Sequence, residues 1–203
     1  MRLLPRRILV LTAAMAMTVA GTVALTGSAA SATPIFNSVN QTAFIWNCPT
    51  GVAGCSAEQT RVGDIRTSDP MTDVCRVNNN PLNLAYNRTN RAGAAKRTGF
   101  LYRSNLNIQN LMDSCTTGGV PASAPAGTEQ RLCPFLACGP VASSHANQTL
   151  RAFCSVDNDN TTFYLTVAFY GSTGGPLTAG FMDGDDMNGG GPGLLLSCET
   201  LFT

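Results

Sequence analysis

Cys75-Arg76-Val77-Asn78-Asn79-Asn80 and Cys154-Ser155-Val156-Asp157-Asn158-Asp159 each place a cysteine, a polar residue and a valine ahead of a run of Asn and Asp. Asn and Asp tolerate the left-handed backbone region and hydrogen-bond their own main chain, so each run reads as a turn that closes a strand. The agreement continues on both sides. Cys48-Pro49, Cys55, Cys75 and Cys115 are matched in order by Cys133-Pro134, Cys138, Cys154 and Cys198. Thr98-Gly99-Phe100-Leu101 is matched by Ala179-Gly180-Phe181-Met182, and Ser114-Cys115-Thr116-Thr117 by Ser197-Cys198-Glu199-Thr200. Four cysteines and three flanking motifs in one order point to a duplication, with a period too long for a solenoid repeat, so each copy reads as a small domain.

Strand formers fill the copies. Phe163 to Tyr170 is aromatic and β-branched and is stopped by Gly171-Ser172-Thr173-Gly174-Gly175-Pro176, a hairpin signal. Leu82 to Tyr86 is the matching run in the first copy, with Asn87 to Gly93 as its turn. One helix is expected, over Ser104 to Met112, with Leu106, Ile108, Leu111 and Met112 on its apolar face; Gly189 to Gly193 stands there in the second copy and cannot hold a helix. The chain divides into a leader (1–32), an N-terminal arm (33–45), a first four-cysteine module (46–117), a Gly/Pro/Ala linker (118–130) and a second module (131–203). The arm, with Ile35, Phe36, Val39, Phe44 and Ile45, reads either as a strand joining the first module's sheet or as an extended segment that pairs with a partner's sheet edge.

The leader opens with Arg2, Arg6 and Arg7, continues as an apolar run from Ile8 to Leu25, and ends in Ala30-Ser31-Ala32. That is the order of a secretory signal peptide cleaved after Ala32, and it favours a secreted product over an uncleaved membrane anchor. Beyond the leader stand ten basic and twelve acidic residues, a net charge of −2. So even a balance argues against nucleic acid and against strong attraction to an anionic membrane.

All 8 Cys lie beyond the leader, and an even number in an exported chain reads as a disulfide framework. Zinc is disfavoured: the close spacings are C-x6-C and C-x4-C, and His145 is the sole histidine. Four cysteines per module allow three pairings. The favoured set is Cys48–Cys55 with Cys75–Cys115, and Cys133–Cys138 with Cys154–Cys198, because a local loop closed by its own bridge tolerates the different inner spacing of the two copies.

The strand ending Asp73-Val74-Cys75, the turn, the Thr98-Gly99-Phe100-Leu101 step and the tail at Leu106 resemble the bacterial SH3-like (SH3b) modules of secreted actinobacterial proteins. Ala179-Gly180-Phe181-Met182 keeps the Gly-aromatic step in the second copy, followed by Asp183-Gly184-Asp185-Asp186; Leu82 to Tyr86 and Tyr164 to Phe169 stand where that family carries a tryptophan. The resemblance implies a mostly β chain of two tandem small SH3-like β-barrel or sheet modules, each with two disulfides, and a peptide- or wall-binding role.

No catalytic constellation stands out. Ser143-Ser144-His145 places hydroxyls beside the histidine, but a triad draws its members from separate elements. Asp183 onward fails the calcium-loop pattern, with Met187 at the fifth position and Leu194 at the twelfth. Among Glu58, Asp64, Asp69, Asp73 and Asp113, no two are singled out as a hydrolase pair, and phosphate-loop and dinucleotide motifs are absent. No catalytic residue, cofactor or metal is therefore expected. The candidate ligand contacts are Tyr86, Tyr102 and Tyr170, since tyrosine offers a flat apolar face plus a hydroxyl, with Arg97 and Arg103 from the basic set Arg88, Arg91, Lys96, Arg97 and Arg103. Phe100 and Phe181, at one repeat position, are expected in the core. The expected function is a secreted, non-catalytic binding module at the cell surface or wall; an adaptor or inhibitor of another secreted protein is the second reading and a small hydrolase the third. The partner is a secreted protein or a cell-wall component.

Overall fold

A computed structural model describes residues 34–49, 61–89, 96–109, 112–158, 160–170 and 177–199. The leader, Cys55, Arg91, Asp159 and the turn residues 171–176 lie outside the described residues. Strands β1 (Ile35–Asn37), β2 (Ala43–Trp46), β3 (Arg61–Ile65), β4 (Met71–Arg76), β5 (Leu82–Asn87) and β6 (Thr98–Tyr102) form one antiparallel sheet in the order β1-β4-β5-β6-β2-β3. Strands β7 (Val120–Ala122), β8 (Glu129–Arg131), β9 (Pro140–Ser143), β10 (Thr149–Asn158), β11 (Thr161–Phe169) and β12 (Thr178–Asp183) form a second in the order β7-β10-β11-β12-β8-β9. The chain is thus mostly β, and the two orders correspond strand for strand. Neither sheet closes: β1 and β3 end the first, β7 and β9 the second.

The paired motifs fall at equivalent places. The register slips between Asp73 and Cys75 in the first sheet and between Ala152 and Cys154 in the second, and Cys75 then pairs with Leu84 as Cys154 pairs with Leu165. A slip of this kind bends the strand and re-aims the next side chain, here the cysteine. The Gly-Phe step has a steric cause. A Cβ on Gly99 would lie 2.7 Å from the Trp46 carbonyl oxygen, and one on Gly180 would lie 2.9 Å from that of Arg131. The glycine lets two backbones close up, and the phenylalanine after it turns into the core.

That core is shared. Val74, Leu84, Tyr86 and Phe100 of the first sheet and Phe153, Leu165, Val167 and Phe181 of the second belong to one buried cluster. Tyr86 and Phe181 meet edge to face across it, centroids 5.2 Å apart. The two sheets therefore face one another over a common interior. Each opposite face carries a smaller apolar cluster: Ile45, Ile65, Met71 and Leu101 in the first sheet, Leu150, Tyr164, Met182 and Met187 in the second. Hydrogen bonds also cross between the halves, from Thr98 N–H to the Leu132 carbonyl (2.8 Å) and from the Thr72 hydroxyl to the Cys198 carbonyl (2.7 Å).

Cys75–Cys115, Cys133–Cys138 and Cys154–Cys198 are disulfides, each within its own half. Cys48 is disulfide-bonded as well, while Cys55, its expected partner, lies outside the described residues. Such a framework belongs to an oxidising compartment. No helix among the described residues is long and apolar enough to cross a membrane.

Two sequence expectations, the linker and the helix, need correction, and the structure chooses between the two readings of the arm. The 118–130 stretch is not a free linker, because Val120–Ala122 is an edge strand on β10 and Glu129–Arg131 belongs to β8. Pro121 suits an edge, where a missing N–H is harmless. Of the two readings of the arm, the strand within its own sheet is the one found: β1 lies in the arm and pairs with β4, and β2 begins in it. The helix expected from Ser104 is a single 3-10 turn, Arg103–Asn105, after which Leu106 bridges to Val39 and is buried. Tertiary pairing of this short apolar segment overrides its helical spacing.

Candidate functional site

The sequence candidates separate in space. Tyr86 is not a surface residue: it is fully buried between the sheets, and its hydroxyl donates to Glu199 Oε1 at 2.9 Å. Burial first, then the Glu199 charge, pushes its phenol well above the ordinary tyrosine range. The basic set is not one patch either. Lys96 pairs with Glu199 at 2.8 Å, and Arg88 donates to the Glu199 carbonyl at 3.1 Å and stacks over the Phe36 ring. These residues join the halves. Arg103 turns inward, its Nε donating to Asn83 Oδ1 at 3.1 Å. Tyr102 is exposed at the end of β6, and exposed Tyr170 stacks on His145 with ring centroids 6.5 Å apart.

Behind Arg103 lies a buried polar cluster. Asn83 Nδ2 is 3.0 Å from each oxygen of Asp73, which is fully buried. Burial pushes the Asp73 carboxyl up to about 6, outweighing the opposite pull of Asn83, Asn37, Arg103 and the Val74 N–H. The register puts Ala152 and Tyr164 at the matching places of the second sheet. There the Tyr164 hydroxyl donates to the Gly193 carbonyl at 3.2 Å. The glycines around it have a reason: a Cβ on Gly191, which has φ +92°, would come within 2.3 Å of the Tyr164 ring.

Two surface features remain. The first is a strip on β2 and β3. Phe44 and Trp46, two apart on one strand, point to the same face. Their rings meet edge to face at 6.3 Å, and the Arg61 guanidinium lies 3.7 Å over the Phe44 ring. Phe44 is 43 % exposed. Arg61 and Arg66 share one carboxylate, Asp64, at 3.9 and 3.7 Å, and Arg97 donates to the Val62 carbonyl beside them. The register puts Glu129 and Arg131, an ion pair, where Phe44 and Trp46 stand. Sequence reasoning passed over Phe44 and Arg61. Ala43-Phe44-Ile45-Trp46 is apolar throughout, so nothing in it tells the buried Ala43 and Ile45 from the outward Phe44.

The second feature is an open cleft of about 660 Å³ at the turn between β10 and β11, lined by Asp157, Asn158, Thr162, Tyr164 and Asp185 among others. Asp183 is held by the Thr161 hydroxyl at 2.6 Å and by the Asp185 N–H at 3.0 Å. No group of three His, Cys, Asp or Glu among the described residues could hold a metal ion. Charge is divided between the halves: residues 33–117 carry eight basic and five acidic side chains, residues 118–203 two and seven. No family model, curated protein or solved structure matches the chain.

Proposed function

We propose that this is an exported, non-catalytic binding protein, built from a duplicated SH3-like β module and acting at the cell surface, where it contacts a cell-wall component or a secreted protein. The observation that carries the reading is the Phe44–Trp46 ring pair, Phe44 exposed and Trp46 half-buried, with Arg61 over the Phe44 ring. Aromatic and arginine side chains are enriched where protein surfaces bind, because they bring large contact area and a charge on one rigid plane. An oxidising, extracellular location is supported by the leader and by the disulfides. The second reading, an adaptor or inhibitor of a secreted protein, draws on the division of charge between the halves, which suits a protein partner with its own charged patch.

Retention on purified peptidoglycan and capture from culture supernatant test the proposal, with wild type beside Phe44→Ala/Trp46→Ala. Loss of either hot-spot ring is expected to weaken retention at least about tenfold. Equal retention of the variant, or turnover of a peptide, glycan or ester substrate by the pure protein, overturns it.

A further inference from the structure

We propose that the partner of the Phe44–Trp46–Arg61 strip is the acidic cleft of a second copy of the chain, so that the exported protein associates head to tail. The inference rests on the reading of the strip as a binding surface and names its occupant.

Charge complementarity carries it. The strip gathers Arg61, Arg66 and Arg97 beside Asp64 and Asp69, the latter held by the Arg66 N–H, so cations outnumber carboxylates there among the described residues, and the Arg61 and Arg66 side chains are 50 % and 58 % exposed. The cleft has the opposite character. Asp157, Asp185 and the neighbouring Asp186 are exposed and have no ion-pair partner among the described residues, and the cleft lining contains no lysine, arginine or histidine. Opposed potentials steer encounter and fix register. The cleft is concave, and the strip projects the exposed Phe44 ring with the Arg61 guanidinium over it. The two patches differ, so the contact is heterologous, and it either closes into a ring or continues as an open chain.

Light scattering coupled to gel filtration tests this on the full exported chain. Wild type is expected to exceed monomer mass at about 20 mM salt and to fall to monomer at about 500 mM, where screening shrinks to a few ångströms. Phe44→Ala/Arg61→Ala removes the strip and Asp157→Asn/Asp185→Asn removes the cleft. Each variant alone is expected to be a folded monomer by circular dichroism, and the two mixed are expected to give a 1:1 dimer, since each retains one intact patch. A wild type that stays monomeric at low salt, a variant that associates like wild type, or a mixture with no dimer overturns the inference. If wild type is monomeric while Phe44→Ala/Trp46→Ala still loses its retention on peptidoglycan or supernatant protein, self-association fails and the binding role stands. If that variant keeps its retention, the binding role fails whatever the mass of wild type.

Discussion

Where the first sheet buries Asp73 and Asn83 beneath a half-buried Arg103, the second buries Ala152 and a tyrosine, Tyr164. One place in the frame is filled by a carboxylate satisfied by an amide, the other by a ring whose hydroxyl finds a backbone carbonyl. Both solutions obey the same rule, that a buried polar atom needs a partner. The comparison teaches which parts are frame and which are filling. The cystine after the register slip, the glycine under the neighbouring backbone and the phenylalanine into the shared core recur in both sheets. The polar clusters, the surface rings and the charges do not.

The frame is where substitution should hurt most and most equally. Removing Cys75–Cys115 or Cys154–Cys198 as a Cys→Ala pair opens loops with sequence separations of 40 and 44 residues. Loop closure alone assigns each about 4 kcal/mol. Cys133–Cys138, with a separation of 5, should cost about 2 kcal/mol on the same basis. Denaturant unfolding of the three pair variants checks the order: clearly unequal losses for the two long bridges would break their equivalence, and a larger loss for the short loop would overturn the dependence on loop length.

The filling should differ with pH. Because burial raises Asp73 to about 6 from 3.8, the native state binds its proton more tightly than the unfolded chain does. The charged form therefore costs stability above pH 6, and that cost fades as pH falls through 6 towards 4. Its size is about 3 kcal/mol at one unit per 1.36 kcal/mol. Asp73→Asn should be more stable than wild type at pH 7, with the difference shrinking to near zero at pH 4. A constant difference across that window would show that the carboxylate is not the titrating group, and no such feature is expected from Ala152→Ser in the second sheet.

The seam between the halves gives a smaller effect. Tyr86→Phe keeps the ring against Phe181 and removes only the hydroxyl bond to Glu199, a bond to a charged group. The expected loss is about 1.5–2 kcal/mol. Glu199→Gln should lose a similar amount, and the double variant less than the sum, because both act on one contact. At the surface, Phe44→Ala should change stability by no more than about 0.5 kcal/mol while weakening binding.

What could be read from the sequence follows from range. Cys75–Cys115, Cys133–Cys138 and Cys154–Cys198 were legible because the cysteines recur in one order and a short local bridge tolerates the different inner spacing of the copies, and the hairpin was legible because Phe163 to Phe169 carries its own strand signal. Val120-Pro121-Ala122 was read as linker because a three-residue edge strand with a proline has no pattern of its own; its partner β10 lies about 30 residues away in the chain and supplies the order. Ser104 to Met112 carried a helical spacing that Val39 overrules by pairing with Leu106. Tyr86 was expected at the surface because a tyrosine's environment depends on what faces it, and what faces it is Phe181 of the other half. The shared core was illegible for the same reason: either sheet alone presents an apolar face without saying what covers it.

The central claim is that two alike halves, each bridged within itself, stand as one body over a common interior. Scanning calorimetry of the oxidised chain tests this most directly. A single transition whose calorimetric and van't Hoff enthalpies agree is the result expected of one cooperative core. Two resolved transitions, one for each half, would contradict it.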